Sequence, residues 1–424
     1  MLTRFMKDCR GSIAPLTALL ALPLLGAVGV AVDYSRVSAT RTALQAAVDS
    51  TALMLSKTAA KQTPGDLQTS ATNILNALFT HPEAKNLAVS TSYSSAGGSK
   101  VTLTASATID ANILGALGYS QVPITATSTS TWGNTRLRVA LILDNTGSMS
   151  QSGKITALKT ASENLLTQLK NAAVNNGDIY VSIVPFSKDV NVGTSNYDRS
   201  WIRWDLWEAE NGTCSNSNYS TQSKCTSHNG TWTPASHSTW NGCVTDRDQN
   251  FDTTNDAPIA GGNLYPAEQY SSCPAQLMGL SYDWTALTNK INAMQPNGNT
   301  NQAIGLQMGW QTLTAAPFTV PPMDPNYKYN QVIILLTDGL NTQDRWYTSQ
   351  SSIDTRQQKT CDNIKAAGIT LYTVQVNTGG DPTSTLLQNC ASDSSKFFLL
   401  TSSTEIVATF NQIGTALSRL RLAM

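Results

Sequence analysis

The spacing of apolar and polar residues changes character along this chain, and each change predicts a different kind of element. Residues 11–32 (GSIAPLTALLALPLLGAVGVAV) carry no charge. A run of that length can cross a hydrocarbon core of about 30 Å at about 1.5 Å per residue. Residues 33–57 continue without Gly or Pro, with Val37, Leu44, Val48 and Leu55 near one helical face and Arg36, Arg41 and Asp49 elsewhere. That pattern predicts one long helix leaving the apolar run. From residue 87 the period falls to two. Thr-, Ser- and Val-rich runs at 87–93, 100–109 and 122–132 are separated by Ala96-Gly97-Gly98 and by a short helical piece around 113–117. These runs read as an antiparallel sheet. After residue 134 apolar strands at 137–143 (LRVALIL), 179–185, 332–336, 369–376 and 396–400 alternate with helices at 154–170, 355–367, about 383–390 and 403–417. Strands alternating with helices predict an α/β fold with a doubly wound, mostly parallel sheet.

Residues 191–283 interrupt that alternation. They are rich in Asn, Ser, Thr and Trp, lack a sustained period and hold four cysteines. An unordered loop of this length inside a compact domain is unusual, so the segment reads as an insertion stapled by disulfides. The organisation expected is therefore a cytoplasmic N-terminus (1–10), a transmembrane anchor (11–32), a helical stalk with a small pilin-like α+β domain (33–134) and an α/β domain (135–424) carrying the insertion.

Charge and cysteine usage fix the compartment. Arg4, Lys7 and Arg10 precede the apolar run, which places that end in the cytoplasm and exports everything after Asp33. The run exceeds the apolar core of a signal peptide, and we expect it to be retained as an anchor. Beyond it lie Cys214, Cys225, Cys243, Cys273, Cys361 and Cys390, an even number that in an exported region reads as disulfides. Cys361 and Cys390 sit on the helices flanking strand 369–376 and are expected to pair, leaving the insertion's four to pair among themselves. Charged residues make up 13% of the chain, with Lys+Arg and Asp+Glu equal at 28 each. That balance gives no electrostatic footprint for nucleic acid.

Sites in doubly wound sheets form beyond the carboxyl ends of strands. The first α/β strand ends in Asp144-Asn145-Thr146-Gly147-Ser148, and the third apolar strand ends in Leu336-Thr337-Asp338-Gly339. Between them, Asn297-Gly298-Asn299-Thr300-Asn301 opens a helix. Two carboxylates and three hydroxyls form an oxygen-only set that suits a hard divalent cation, Mg²⁺ first and Mn²⁺ or Ca²⁺ as alternatives. At these residues the sequence resembles the von Willebrand factor A (vWA) family. The resemblance implies a metal-ion-dependent adhesion site at Asp144, Thr146, Ser148, Thr300 and Asp338, with Thr146 where the family more often has Ser. It also implies a protein partner that supplies a carboxylate to the metal.

Other chemistries are poorly served. Gly147 to Lys154 has five residues between its glycines rather than four, so it departs from a phosphate-binding loop. The only histidines, His81, His228 and His237, lie outside the strand–helix framework, which leaves a serine nucleophile without a base. Cys225, His228, His237 and Cys243 could hold zinc only if the cysteines stay reduced. An enzyme is not expected. The N-terminal residues Arg10-Gly11-Ser12-Ile13-Ala14, Ala31-Val32-Asp33-Tyr34-Ser35-Arg36 and Leu44-Gln45-Ala46-Ala47-Val48-Asp49 resemble TadE/TadG-like proteins of bacterial Flp (tight-adherence) pilus assembly. A pilin-type signal has Glu where Leu16 stands, so pilin-type processing is not expected. Together the two resemblances imply a single-pass protein of the bacterial inner membrane. Its vWA head would be periplasmic or at the cell surface and would bind pilus or tight-adherence components. A free-standing adhesin for host or matrix protein is the alternative, and a vWA subunit of an enzyme complex a more distant one.

Overall fold

The computed structural model describes residues 13–95, 99–113, 115, 118, 120–132, 135–314, 316–325 and 327–422. The expected cytoplasmic segment 1–10, the Gly97-Gly98 turn and part of the expected helical piece at 113–117 lie outside these residues. Contacts divide the chain after residue 134 into two compact units.

In the first unit α1 (Ile13–Ser56) runs unbroken for 44 residues. Leu19, Leu24, Leu25 and Val28 stand exposed along its first half. Among the described residues, this is the one helix long and apolar enough to cross a membrane. Its second half is not a bare spacer. Leu44, Val48 and Leu55 are fully buried against a core that includes Leu103, Ile109 and Ile124, so the apolar stripe legible in the sequence is a sheet-packing face. A second helix, α2 (Pro64–Leu78), follows. Thr63 caps it by accepting from the Asp66 backbone N–H at 3.2 Å, and Pro64 takes the first turn, where no amide hydrogen is needed. The sheet is antiparallel in the order β1 (Ala84–Ser94), β2 (Ser99–Asp110), β3 (Gln121–Trp132). Every second residue of β2 from Ser99 on is buried, and the alternate face carries hydroxyl ladders such as Thr102–Thr129 and Thr104–Thr127, each 3.1 Å apart. Asp33, just past the apolar run, is buried and accepts from the backbone N–H groups of Asn112 (3.3 Å) and Ile113 (2.7 Å).

In the second unit β4 (Thr135–Asp144), α3 (Lys154–Ala172) and β5 (Ile179–Phe186) open the α/β pattern. The insertion follows as β6 (Val190–Asn191), β7 (Ile202–Arg203), α4 (Asp205–Glu210), β8 (Gly212–Cys214), α5 (Gln222–Ser227), β9 (Trp232–Pro234), β10 (Cys243–Val244), β11 (Tyr265–Glu268) and β12 (Met278–Ser281). The pattern then resumes with α6 (Trp284–Asn292), α7 (Gln302–Thr314), β13 (Lys328–Thr337), α8 (Gln350–Ala366), β14 (Thr370–Val376), α9 (Thr385–Cys390), β15 (Phe397–Leu400) and α10 (Thr404–Leu422).

The strands lie in the order β15-β14-β13-β4-β5-β6-β10-β11-β7, with β12 against β5. From β15 to β5 all pairings are parallel, with Val139 opposite both Val332 and Val181. The insertion adds the short strands β6, β10 and β11 in antiparallel pairing, so it extends the sheet besides being stapled. Because β4 and β13 are buried on both faces, alternate residues feed two cores. Leu141 and Ile334 meet Leu165 and Phe410 of α3 and α10, while Ile142 and Leu335 meet Ile304 and Met308 of α7. Trp207 and Trp240 from the insertion complete the second core. Gly309 lets α7 lie close there, since a Cβ at that position would stand 2.5 Å from Ile142 Cδ1. Disulfides join Cys214–Cys225, Cys243–Cys273 and Cys361–Cys390 with Cα separations of 5.7, 5.8 and 5.0 Å. The expected pairing holds, and Cys225 and Cys243 are thereby not available as zinc thiolates.

Candidate metal centre

Parallel β4 and β13 end side by side, which brings Asp144 and Asp338 together at the carboxyl edge of the sheet. Asp144 is fully buried. Its Oδ1 accepts from Thr146 N (2.8 Å) and Thr146 Oγ1 (2.6 Å), and its Oδ2 accepts from Thr337 Oγ1 (2.7 Å). Thr146 Oγ1 and Ser148 Oγ lie 3.1 Å apart, and Ser148 Oγ donates to Asp338 Oδ1 at 2.6 Å. Four of the five expected residues thus form one hydrogen-bonded chain. On the far side Asp338 Oδ2 accepts from the Lys154 ammonium at the start of α3, and both side chains are buried.

Thr300 joins through its backbone. Gly147 N donates to Gly298 O at 3.0 Å and Asn297 N to Asn145 O at 2.9 Å, which clamps the 297–300 loop onto the Asp144 loop. Thr300, itself buried, donates from its N–H to Thr342 Oγ1 at 2.8 Å and accepts from Thr342 N at 2.9 Å. Gly298 has φ +85°, and a Cβ there would lie 2.6 Å from Tyr270 Oη. The same Tyr270 hydroxyl accepts from Asn299 N at 2.9 Å. The insertion, through Tyr270, therefore holds the loop that carries Thr300.

Burial pushes the Asp144 carboxyl up to about 6, the negative charge of Asp338 adds to the rise, and the hydrogen bonds from Thr146 and Thr337 oppose it. A carboxylate in that position lacks positive charge. The donor set fits a hard divalent cation, being oxygen only and short of compensation. Among the described residues no group of three or more His, Cys, Asp or Glu side chains converges, so any cation here relies on hydroxyls beside its two carboxylates.

Sequence reasoning did not single out Lys154 or Thr337 for this site. Thr337 had a weak signal: a hydroxyl between the apolar run 332–336 and Asp338. Lys154 had none, because its contact with Asp338 spans 184 residues.

Two stretches of the chain match family models. Residues 11–57 match the family model described as putative Flp pilus-assembly TadE/G-like, and residues 267–412 match that of the von Willebrand factor type A domain. The second match contains Thr300 and Asp338 and begins after Asp144, Thr146 and Ser148. No curated protein matches the chain. Among solved structures, the open conformation of the pilus adhesin SpaC from Lactobacillus rhamnosus GG is 13% identical, with 81% of this chain and 35% of that one covered and a TM-score of 0.39. The vWF domain of the type V pili tip protein Mfa5 from Porphyromonas gingivalis is 10% identical, with 68% and 97% covered and a TM-score of 0.39. Proximal thread matrix protein 1 from the mussel byssus, with a zinc-occupied MIDAS motif, is 13% identical, with 68% and 46% covered and a TM-score of 0.34. The chain spans about a third of the length of SpaC. It carries a TadE/G-like segment at its N-terminus and a von Willebrand factor type A domain beyond it.

Proposed function

We propose that the second unit binds a protein partner through a divalent cation held by Asp144, Thr146, Ser148, Thr300 and Asp338. The observation that carries this reading is the buried, hydroxyl-linked pair of carboxylates with a single ammonium against it. Mg²⁺ is the expected ion, with Mn²⁺ or Ca²⁺ compatible with the same oxygens. When bound, the ion offers a Lewis-acidic position that a partner carboxylate completes. The chain's own residues do the orienting. Thr146 and Thr337 fix Asp144, Ser148 and Lys154 fix Asp338, and the clamp between the Gly147 and Gly298 backbones fixes the Thr300 loop.

The partner belongs to a tight-adherence pilus or to a surface met in adhesion. The protein is held in the bacterial inner membrane by the first half of α1, with the second unit exported. Its role is binding, a reading supported by the match to the von Willebrand factor type A domain. The test is isothermal titration of Mg²⁺ and Mn²⁺ into the full chain in nanodiscs. Saturable binding in the native protein and its loss in Asp144→Ala and Asp338→Ala are expected. Unchanged affinity in both variants would refute the site.

A further inference from the structure

Beside the Thr300 loop lies a cavity of about 530 Å³ between α4 of the insertion and the 343–345 segment that follows Asp338. Its wall reaches the candidate metal loop. Gln343 N donates to Thr300 O at 3.3 Å, and the Gln343 side chain bonds to that of Asn299. The charges in the lining are unevenly paired. Lys188 is held by Glu268 and lies 3.3 Å from Asp189 Oδ1, so two carboxylates share one ammonium. Arg345 is held by Asp248 at 2.6 Å and by the Asp246 carbonyl at 3.0 Å. Glu210, exposed on α4, and Asp344, buried within the 343–345 segment, have no cation within ion-pair distance among the described residues, and Asp344 Oδ1 accepts from the backbone N–H groups of Trp346 (2.7 Å) and Tyr347. In the same lining the Thr245 hydroxyl is buried and has no hydrogen-bond partner. Leu206 lines the same cavity, 38% exposed.

We propose that this cavity receives a lysine or arginine side chain of the partner protein. Its ammonium or guanidinium would meet Glu210 and Asp344, the free Thr245 oxygen would accept a hydrogen bond, and the alkyl stem would lie along Leu206. A cation between the two acids would meet carboxylates that no other cation pairs, in a partly closed space where Coulomb attraction exceeds its value in bulk water. Burial holds the Asp344 carboxyl above the ordinary carboxylate range; the backbone N–H groups of Tyr347 and Trp346 oppose that rise, and the charges of Asp252 and Arg356 act in opposite directions. The proposal rests on the reading of this unit as a partner-binding head and gives the partner a basic residue near its metal-bound carboxylate. The cavity chemistry does not itself require the metal.

The test uses the full chain in phosphatidylcholine nanodiscs and a dansyl-labelled, C-terminally amidated peptide, Gly-Gly-Lys-Gly-Gly, which has no carboxylate. Its twin carries an Nε-acetylated lysine. Fluorescence anisotropy should show the lysine peptide binding at least about tenfold more tightly than its twin, a ratio that corresponds to about 1.4 kcal/mol. Glu210→Gln should weaken it about threefold and Glu210→Lys at least about tenfold. EDTA should leave the affinity unchanged, so failure of the metal site and failure of the cavity are separately visible. Equal affinity for the two peptides, binding of neither, or binding unaffected by Glu210→Lys would overturn the proposal.

Discussion

Replacing Lys154 with Met tests whether an internal cation stands guard over the candidate metal centre. Methionine keeps most of the aliphatic volume and removes the charge. Lys154 and Asp338 are both buried, with side-chain exposures of 7% and 0%. Removing one member of such a pair strands the other charge, which typically costs about 3–5 kcal/mol. Asp144, buried in the same hydrogen-bonded chain, adds a second carboxylate to the uncompensated charge. In EDTA, therefore, Lys154→Met should lose about 3–5 kcal/mol of stability. A divalent ion supplies the missing charge, so saturating Mg²⁺ should recover more than about half of that loss. By linkage, the variant must then bind Mg²⁺ more tightly than the native protein, by about tenfold for each 1.4 kcal/mol recovered. Urea unfolding followed by tryptophan fluorescence, with and without Mg²⁺, measures both quantities on the second unit, because every tryptophan except Trp132 lies there. An equal loss in EDTA and in Mg²⁺ would refute the reasoning, since the ammonium and the metal would then not be serving the same charges.

Two further outcomes follow from features away from that pair. Cys361 and Cys390 close a loop of sequence separation 29, so Cys361→Ala with Cys390→Ala should lower unfolding stability by about 3–4 kcal/mol; a loss under about 1 kcal/mol in the same urea assay would contradict it. Asp246 is buried beside Asp344 and Asp252 and its carboxyl is pushed up to about 7, burial being the main cause. The folded state then holds a proton that the unfolded state has lost between about pH 4 and about 7, so stability should fall as pH rises through that window. A rise from 3.8 to about 7 corresponds to on the order of 4 kcal/mol. Asp246→Asn should remove that slope, and a slope equal to the native one would contradict the assignment.

Much of this architecture can be read from the sequence because its signals are local. Runs such as Leu137 to Leu143 are buried on both faces and must be apolar throughout, and Asp144 and Asp338 break such runs at their ends. Elements that depend on distant partners leave no such mark. Strands β6, β7 and β10 have two residues each, too few to display a period, and exist because β5 and β11 offer edges to them. Helix α2 begins with Pro-Gly, which reads as a turn, although Thr63 caps it and Leu67, Ala71 and Leu75 make a buried stripe. Tyr270 supports the Thr300 loop from a stretch with no periodicity, and only the folded chain brings the two together.

The pairing of β4 with β13 also governs how such a chain can come to maturity. Asp144 and Thr337 meet across 193 residues. Loop-closure entropy grows only with the logarithm of length, about 0.6 kcal/mol for each doubling. An insertion that roughly doubles this loop is therefore thermodynamically cheap to carry. The burden is kinetic, because non-local pairing is slow to find its partner. In a chain delivered N-terminus first, β5 can close one edge of β4 after about forty residues, but the other edge waits for β13, nearly two hundred residues on. During that wait the open edge of β4 is a template for unintended strand pairing, the kind of edge that a holding chaperone protects.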